Sequence, residues 1–256
     1  MHQGLSRMVL LSRLAAACFI IALPVFLITS NVRFLASDTG FYRHGFRSYH
    51  SDRATGVSMP ELDRAASEIV RYFADDSSTL HIVVNLDGQE TSLFNARETE
   101  HMKDVKALMR FLFRANEVSL AIVLTYVACV FLWARERSLR SLAAQAIAGV
   151  GLGFAVVVAI GAFALAGFDA AWTRFHEIVF RNDLWLLNPA TDHLIQMFPE
   201  GFWQESTVIV AALTLTEAAI IVVASLAYLI GSRSKPVREG RVSRSPVTAT
   251  VAPPAE

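Results

Sequence analysis

Four long apolar segments constrain this chain more than any other feature of its sequence. They run over Leu14–Ile28 (extendable at both ends), Val118–Ala134, Leu142–Ala166 and Val208–Ile230. A helix needs about 20 apolar residues to cross the hydrocarbon core of a bilayer, with a range of about 17 to 25. Of all residues, 54% are hydrophobic and only 18% are charged, and the charged ones collect between these segments. The sequence therefore predicts an α-helical membrane protein built on a four-transmembrane-helix bundle.

The first apolar segment is predicted to be a membrane helix that is not cleaved. It contains Pro24, continues through Ile28 and lacks a clear small-residue cleavage site. Ala16-Ala17-Cys18 faintly resembles a lipoprotein cleavage box, but Arg13 lies too close to Cys18 to leave room for an apolar stretch.

Basic residues set the expected orientation. They are Arg7 and Arg13 before the first span, Arg135, Arg137 and Arg140 between the second and third, and Arg233, Lys235, Arg238, Arg241 and Arg244 after the fourth. Lys and Arg in short loops favour the cytoplasm, so both termini are expected there. The 23 basic and 23 acidic residues balance, and nothing in this total suggests a nucleic-acid partner.

The spans divide the chain into six predicted parts. These are a cytoplasmic N-terminus with the first transmembrane helix (1–31), an extracellular cap domain (32–117), the second and third transmembrane helices with a short cytoplasmic loop (118–166), an extracellular aromatic-rich segment (167–206), the fourth transmembrane helix (207–231) and a cytoplasmic tail (232–256). The tail has no apolar period and is rich in Pro, Ser, Val and Arg, so it is predicted to be disordered.

The cap domain is predicted to be small and of α+β type. Apolar residues at helical spacing predict an amphipathic helix over Pro60–Phe73, with Ser58 as the candidate N-cap. Apolar runs on both sides of Asp87-Gly88 predict a hairpin with strands within Leu80–Leu86 and Gln89–Phe94, because a type I′ turn needs positive φ at both centre positions. A further helix is expected to begin at Glu98 and to continue into the second span.

The segment after the third span is dense in aromatic residues. Trp172, Phe175, Val179 and Phe180 lie at helical spacing, and Trp185, Phe198, Phe202 and Trp203 follow. An interfacial aromatic belt accounts for some of them. It leaves unexplained the interleaved polar residues, which are His176, Glu177, Asn182, Asp183, Asp192, His193 and Glu200.

Familiar catalytic motifs are missing from the sequence. His176-Glu177 resembles the start of a zinc-protease motif, but Phe180 stands where the second histidine is needed. His101, His176, Asp183 and Asp192 could in principle hold a metal, yet their spacing does not favour one, so we expect neither metal nor cofactor. There is no nucleophile elbow, no phosphate-binding glycine loop, and both cysteines lie in apolar segments.

Two features lie within the predicted spans. Gly149 and Gly153 form a Gly-x-x-x-Gly pair, which predicts a close helix contact. Glu217 lies near the middle of the fourth span, where a charge is costly and usually functional. The alternative, which we weigh equally, is a protonated Glu217 hydrogen-bonded to a neighbouring helix, with Thr125 as a candidate partner.

Two stretches together resemble a known family. The first is His101-Met102-Lys103-Asp104-Val105-Lys106, and the second runs Phe175-His176-Glu177-Ile178-Val179-Phe180, Asn182-Asp183-Leu184-Trp185, Asn188-Pro189-Ala190-Thr191-Asp192, Ile195, Phe198-Pro199-Glu200 and Phe202. They look like the lipoprotein intramolecular transacylase (Lit) family and its uncharacterised integral membrane relatives. That family also has four spans, with a large exterior segment after the first and a shorter one after the third.

The resemblance implies an enzyme of the bacterial plasma membrane that needs no cofactor. Its substrate would be a diacylated lipoprotein among membrane lipids, and it would move the sn-2 acyl chain from the glycerol to the α-amino group of the N-terminal cysteine. The alternative is a non-catalytic membrane protein that binds lipid or a partner. An enzyme requires both histidines to line one cavity that opens to lipid.

The resemblance also assigns roles to residues. His101 and His176 are the expected proton-transfer residues, because a pKa of about 6.5 suits a histidine to act as both base and acid. Asp104, three residues after His101, would orient that ring or stabilise its charge. The remaining supporting candidates are Asn182, Asp183, Trp185 and Asp192. The other histidines His44, His50, His81 and His193 are expected to be ordinary interfacial residues.

The arginine distribution gives a direct test of topology. Reporter fusions at Asp87 and Asp192 should report the outside, whereas fusions at Arg137 and Arg238 should report the cytoplasm. A cytoplasmic signal at Asp87 would contradict the four-span topology.

Overall fold

The computed structural model describes residues 2–86, 88–133 and 136–232, with side chains described in 7–86, 88–132 and 138–232. Its elements are α1 (His2–Ser37), α2 (Thr39–Ser48), α3 (Ser51–Thr55), α4 (Met59–Ala74), β1 (Val83–Leu86), β2 (Gln89–Ser92), α5 (Ala96–Trp133), α6 (Glu136–Ala166), α7 (Phe168–Val179), α8 (His193–Met197) and α9 (Glu200–Gly231). Asp87, Arg135 and the predicted disordered tail beyond Ser232 lie outside the described residues.

Within the described part of the chain, four helices are long and apolar enough to cross a membrane: α1, α5, α6 and α9. Helix α1 packs against the other three, and α6 also packs against α9. Their shared core is formed by Phe19, Leu23, Leu27, Val150 and Ala218. The predicted fold class, an α-helical multi-pass membrane protein, is therefore confirmed.

The Gly-x-x-x-Gly pair brings α6 close to α1, as predicted. A Cβ at Gly153 would lie 2.8 Å from the Cβ of Pro24, and one at Gly149 would lie 3.0 Å from the carbonyl oxygen of Ile20. Gly151, on the same helix between them, has nothing within 4 Å of such an atom. The two glycines of the pair must therefore be small for the helices to touch, whereas Gly151 faces open space.

Glu217 has a partner on α1 rather than Thr125, so the predicted partner is wrong. The Asn31 side-chain amide donates to Glu217 Oε2 at 3.0 Å and to Thr214 Oγ1 at 3.1 Å. Thr214 precedes Glu217 by three residues, which puts the two side chains on one face of α9. The sequence predicts a need for a polar neighbour, whereas the choice of neighbour depends on how α1 and α9 pack.

Helix α5 connects the membrane to the cap. It contains 38 residues, which span about 57 Å, whereas the hydrocarbon core is only about 30 Å thick. The prediction of a helix that begins near Glu98 and continues into the second span is therefore confirmed, because α5 is one continuous helix. Its first turns lie outside the bilayer, among the helices of the cap.

We call residues 38–95 and 180–199, together with the first turns of α5 and α9, the cap. Its core is apolar and closed, and includes Phe46, Leu62, Ile69, Ile82, Val84, Leu93, Met102, Met197 and Phe202. Helix α4 covers the predicted Pro60–Phe73 segment and extends it by one residue at each end. Ser58 occupies the N-cap position, as predicted, although its side chain makes no capping hydrogen bond.

The hairpin lies where Asp87-Gly88 predicts it. Strands β1 and β2 are antiparallel with Leu86 opposite Gln89, which leaves a two-residue connection between them. Gly88 has a φ of 83°, in the left-handed region that the turn demands, and its N–H donates to Asn85 Oδ1 at 2.8 Å. The strands are shorter than the predicted apolar runs, and Leu93 continues the pairing with one bond to the Ile82 carbonyl.

Alanine substitutions at two glycines of α6 test the contact with α1. Gly153→Ala should lower the free energy of unfolding by about 1–3 kcal/mol, because its methyl group overlaps Pro24 in a packed interface. Gly151→Ala adds the same methyl group in open space and should be neutral or stabilising by up to about 1 kcal/mol. Thermal unfolding in detergent measures both. Equal stability of the two variants would contradict the close contact.

Candidate active site

Two histidines from distant parts of the chain lie side by side beneath the cap. His101 lies in the second turn of α5 and His176 in the last turn of α7, and their ring centroids are 6.1 Å apart. They are 6% and 8% exposed, so both rings are buried. The structure thus brings together the two residues to which the sequence analysis assigns proton transfer.

The ring of His176 is held in one tautomer. Its Nδ1 lies 2.8 Å from the carbonyl oxygen of Trp172, and a carbonyl can only accept, so Nδ1 carries the hydrogen. Nε2 therefore keeps its lone pair and can accept a proton. His101 differs, since its buried Nδ1 has no hydrogen-bond partner among the residues that the structure describes.

Aromatic rings surround the pair and fix its orientation. Phe180 lies 5.1 Å from His101 and 5.5 Å from His176 between ring centroids. Trp172 and Trp185 approach His176 at 4.7 and 5.0 Å. This packing holds the imidazoles in place and keeps bulk water from them. Electrostatic interactions are stronger where water is excluded.

The histidines lie at the upper end of a large apolar cavity of about 660 Å³. On α5 the cavity runs from His101 down to Leu112, and on α9 from Phe202 down to Thr214. These paths advance by eleven and twelve residues, or about 16 and about 18 Å of helix. The apolar run of α9 begins at Val208, so the cavity starts above the bilayer and ends within it.

The cavity also has a side that faces lipid. Ile160 on α6 lines it and is 55% exposed, and Phe175 on α7 lines it and is 38% exposed. Side chains that both line a cavity and remain exposed mark its opening. A ligand with a long apolar chain could enter there from the bilayer without crossing the cap.

Burial determines the electrostatics of His176. It lowers the pKa of this ring below the ordinary 6.5, and the hydrogen bond to the Trp172 carbonyl partly offsets the shift. The ring is thus neutral at neutral pH and available as a base.

The supporting residues proposed from the sequence lie at different distances from the cavity. Trp185 lines it directly. Asp104 does not bond to His101; its Oδ2 instead accepts from the Asn182 amide at 2.9 Å. The side chain of Asp183 is exposed, and its carbonyl accepts from Arg97. Together these bonds tie the segment after α7 to the first turns of α5.

Asp192 and His193 act within the cap. The buried Asp192 carboxylate accepts from the Asn95 amide at 3.0 Å and from the Asn188 N–H at 2.8 Å. His193 bonds through Nδ1 to the Leu93 carbonyl at 2.6 Å. Neither side chain lines the cavity. Among the described residues, no group of three or more His, Cys, Asp or Glu side chains could hold a metal ion.

Sequence reasoning missed Glu98, which anchors the site. This carboxylate is 1% exposed and accepts from the Asn95 N–H at 2.7 Å and from the Leu194 N–H at 2.6 Å. The Asn95 side chain accepts in turn from the Glu98 N–H at 3.0 Å. Asn-x-x-Glu is a capping-box pattern, so the sequence does signal this helix start. The bond to Leu194, far along the chain, has no such signal.

Fold and site together define a class: a multi-pass membrane protein with two buried histidines at the end of an apolar cavity that opens to lipid. Residues 17–203 match the family of the lipoprotein intramolecular transacylase Lit. Since this match covers well over half of the chain, the protein belongs to that family.

Individual proteins are also similar to this chain in sequence or in fold. An uncharacterized protein of Aquifex aeolicus (strain VF5) is 31% identical over 121 residues, which are 47% of this chain and 51% of that protein. The matched stretch thus spans about half the length of that relative. The solved structure of the lipoprotein intramolecular transacylase Lit from Bacillus cereus has the same fold, with a TM-score of 0.72, 14% identity, and coverage of 88% of this chain and 99% of that one. A variant of that protein with one histidine replaced by alanine gives a TM-score of 0.71 at 14% identity, covering 91% of this chain and 100% of that one.

The lowered pKa of His176 makes stability depend on pH. The unfolded chain takes up a proton near pH 6.5 that the folded ring resists, so the wild type should lose stability as pH falls from about 6.5 through the folded-state pKa. His176→Gln removes this loss, and the advantage of the wild type over the variant should shrink as pH falls. Thermal unfolding from about pH 7.5 to about pH 5 measures the difference. Parallel curves would contradict a lowered pKa.

Proposed function

We propose that this protein is a membrane acyltransferase of the bacterial plasma membrane, with both termini in the cytoplasm. Its substrate is a lipoprotein whose N-terminal cysteine carries diacylglycerol. It moves the sn-2 acyl chain to the cysteine α-amino group and leaves an N-acylated lyso-lipoprotein. The observation that carries the proposal is the pair His101 and His176, 6.1 Å apart at the end of an apolar cavity that opens to lipid.

The position of the cavity suits this substrate. A lipoprotein's acyl chains lie in the bilayer while its peptide lies in water, so its ester and amine meet at the interface between them. The cavity crosses the level where the apolar run of α9 begins, and the histidines lie at its polar end. The acyl chain to be moved would extend down the cavity, and the second chain would remain among membrane lipids.

The reaction balances within the substrate and the histidine pair. The amine nitrogen attacks the ester carbonyl carbon, an N–C bond forms, and one imidazole takes the proton that the nitrogen loses. The C–O bond to glycerol then breaks, and the protonated histidine returns that proton to the leaving oxygen. The products are an amide and a free hydroxyl, and both rings end neutral.

His176 is the residue we assign as the base. Its Nδ1 is engaged by the Trp172 carbonyl, and its Nε2 is free to accept the amine proton. A neutral base is needed because the α-amino group has a pKa of about 8 and is partly protonated at neutral pH. The lowered pKa of His176 keeps this ring neutral for that step.

His101 is the second proton-transfer residue. Its ring is near enough to His176 for one ester to contact both, and Asp104 lies one turn further along the same face of α5. The nucleophile belongs to the substrate, which explains why the chain needs no serine or cysteine motif. Attack within one molecule also avoids the entropy of joining two reactants.

The remaining supporting residues position this pair. Trp185 packs against the ring of His176. Asn182 links its segment to Asp104, and Asp183 and Asp192 hold the two ends of that segment to the start of α5. No cofactor takes part in the proposed reaction.

Replacing either histidine tests the mechanism. His101→Ala and His176→Ala should each lower the transfer rate by about 10² to 10⁴, the usual worth of a positioned proton-transfer group. Mass spectrometry of a lipoprotein's N-terminal peptide distinguishes the N-acylated lyso product from the diacylglyceryl form. His81→Ala, at an exposed histidine outside the cavity, is the matched control and should keep full activity.

Two outcomes would contradict the proposal. Full activity in either cavity variant, with unfolding temperatures like the wild type's, would remove that histidine from the mechanism. Absence of the N-acylated product with the wild type, combined with retained lipid binding, would favour a non-catalytic protein that binds lipid or a partner.

A further inference from the structure

The lower end of the cavity is closed by hydrogen-bonded polar side chains of α1 and α9. Thr214 is the deepest cavity-lining residue of α9 and is 3% exposed. Its hydroxyl accepts from the Asn31 amide, which is 5% exposed and also donates to Glu217. An apolar chain that reached this level would meet satisfied polar groups held between two helices, and could displace them only by leaving them unpaired.

Gly161 leaves α6 without a side chain at a position that lines the cavity. It lines the cavity, and a Cβ built on it would meet nothing within 4 Å. Val157, one turn below, is the deepest cavity-lining residue of α6. We call the level of Val157 and Thr214 the floor of the cavity. A side chain at position 161 would therefore extend into the cavity about 6 Å, or four residues of helix, above Val157.

We propose that Gly161, Val157 and Thr214 set the length of the acyl chain that the protein moves. This inference rests on the proposed transacylation, since the chain's carbonyl must lie at the histidines. With the carbonyl fixed there, a chain can extend about 16 Å along the helices before it meets the floor. A longer chain must bend out through the side opening or pull its ester away from the histidines.

Shorter chains are limited for a different reason. Each methylene that enters the cavity leaves either water or lipid. Transfer from water would strengthen binding by about fourfold per methylene. Lipid surroundings are also apolar, so the actual gain is smaller and comes mainly from packing. The profile of rate against chain length should thus rise gently and fall steeply once the chain exceeds the cavity.

The experiment uses the full chain in detergent micelles and synthetic diacylglyceryl lipopeptides that differ only in sn-2 chain length. Gly161→Leu should shift the profile to shorter chains, with the rate for the longest chain falling about tenfold or more and the rate for the shortest staying within about twofold. Val157→Ala lowers the floor and should shift the profile to longer chains. Gly151→Leu adds the same side chain on the same helix away from the cavity and should leave the profile unchanged.

The outcomes separate this inference from the proposed function. If the wild type transfers acyl chains but Gly161→Leu and Val157→Ala lower all chain lengths equally, or none, the floor does not set chain length and the inference is overturned. If the wild type transfers no chain of any length, the transacylase proposal itself fails, and the inference with it. Unfolding temperatures identify a variant that is merely unstable; if Gly161→Leu is unstable, Gly161→Ala, which adds a smaller side chain, replaces it.

Discussion

The buried carboxylate of Glu98 is the interaction on which the arrangement of this protein depends. It joins the first turn of α5 to the first turn of α8, and through Asn95 and Asp192 to the segment that precedes α8. His101 follows Glu98 by one turn, so its position relative to the second half of the chain is fixed at this junction. Removing this carboxylate would leave the buried Leu194 N–H without its partner, at a cost of about 1–3 kcal/mol.

Several hydrogen bonds inside the bundle join α1 to another helix, whereas the Tyr126 hydroxyl of α5 donates to Gln145 of α6 at 2.8 Å. Asn31 reaches Thr214 and Glu217 on α9, whereas Asn116 on α5 donates to Thr29 and Ser30. Since lipid is as apolar as the helices' own side chains, apolar burial alone does not choose which helices meet. Hydrogen bonds and glycine contacts make that choice, and they make α1 the central helix.

Local features of this fold could be predicted from the sequence, because short-range chemistry dictates them. The four apolar helices, the helix over Pro60–Phe73 and the turn at Gly88 each follow from spacing or from a backbone requirement. Partner choice could not be predicted in this way. Thr125 and Asn31 are equally plausible partners for Glu217 until the packing of α1 against α9 is known.

The same distinction applies to the site. His101 and His176 were recognisable through a family motif, and their shared cavity agrees with that expectation, whereas their catalytic roles remain predictions. The bond between Asp104 and Asn182 could not be foreseen, because helical spacing shows which face Asp104 occupies but not which loop returns to it. Glu98 was visible only as a helix start, since its contact with Leu194 depends on tertiary structure alone.

The continuity of α5 has a consequence for how ligands exchange. Its 38 residues contain neither glycine nor proline, the residues at which helices most often bend. Helix α5 therefore joins the cap to the bundle rigidly, and a swinging motion of the cap would have to bend or break this helix. Ligands must then enter and leave the cavity sideways, in the plane of the bilayer, past Ile160 and Phe175. Turnover in such an arrangement is governed by two-dimensional diffusion and by the fluidity of the surrounding lipid, and would slow when the membrane stiffens even if the chemistry is unchanged.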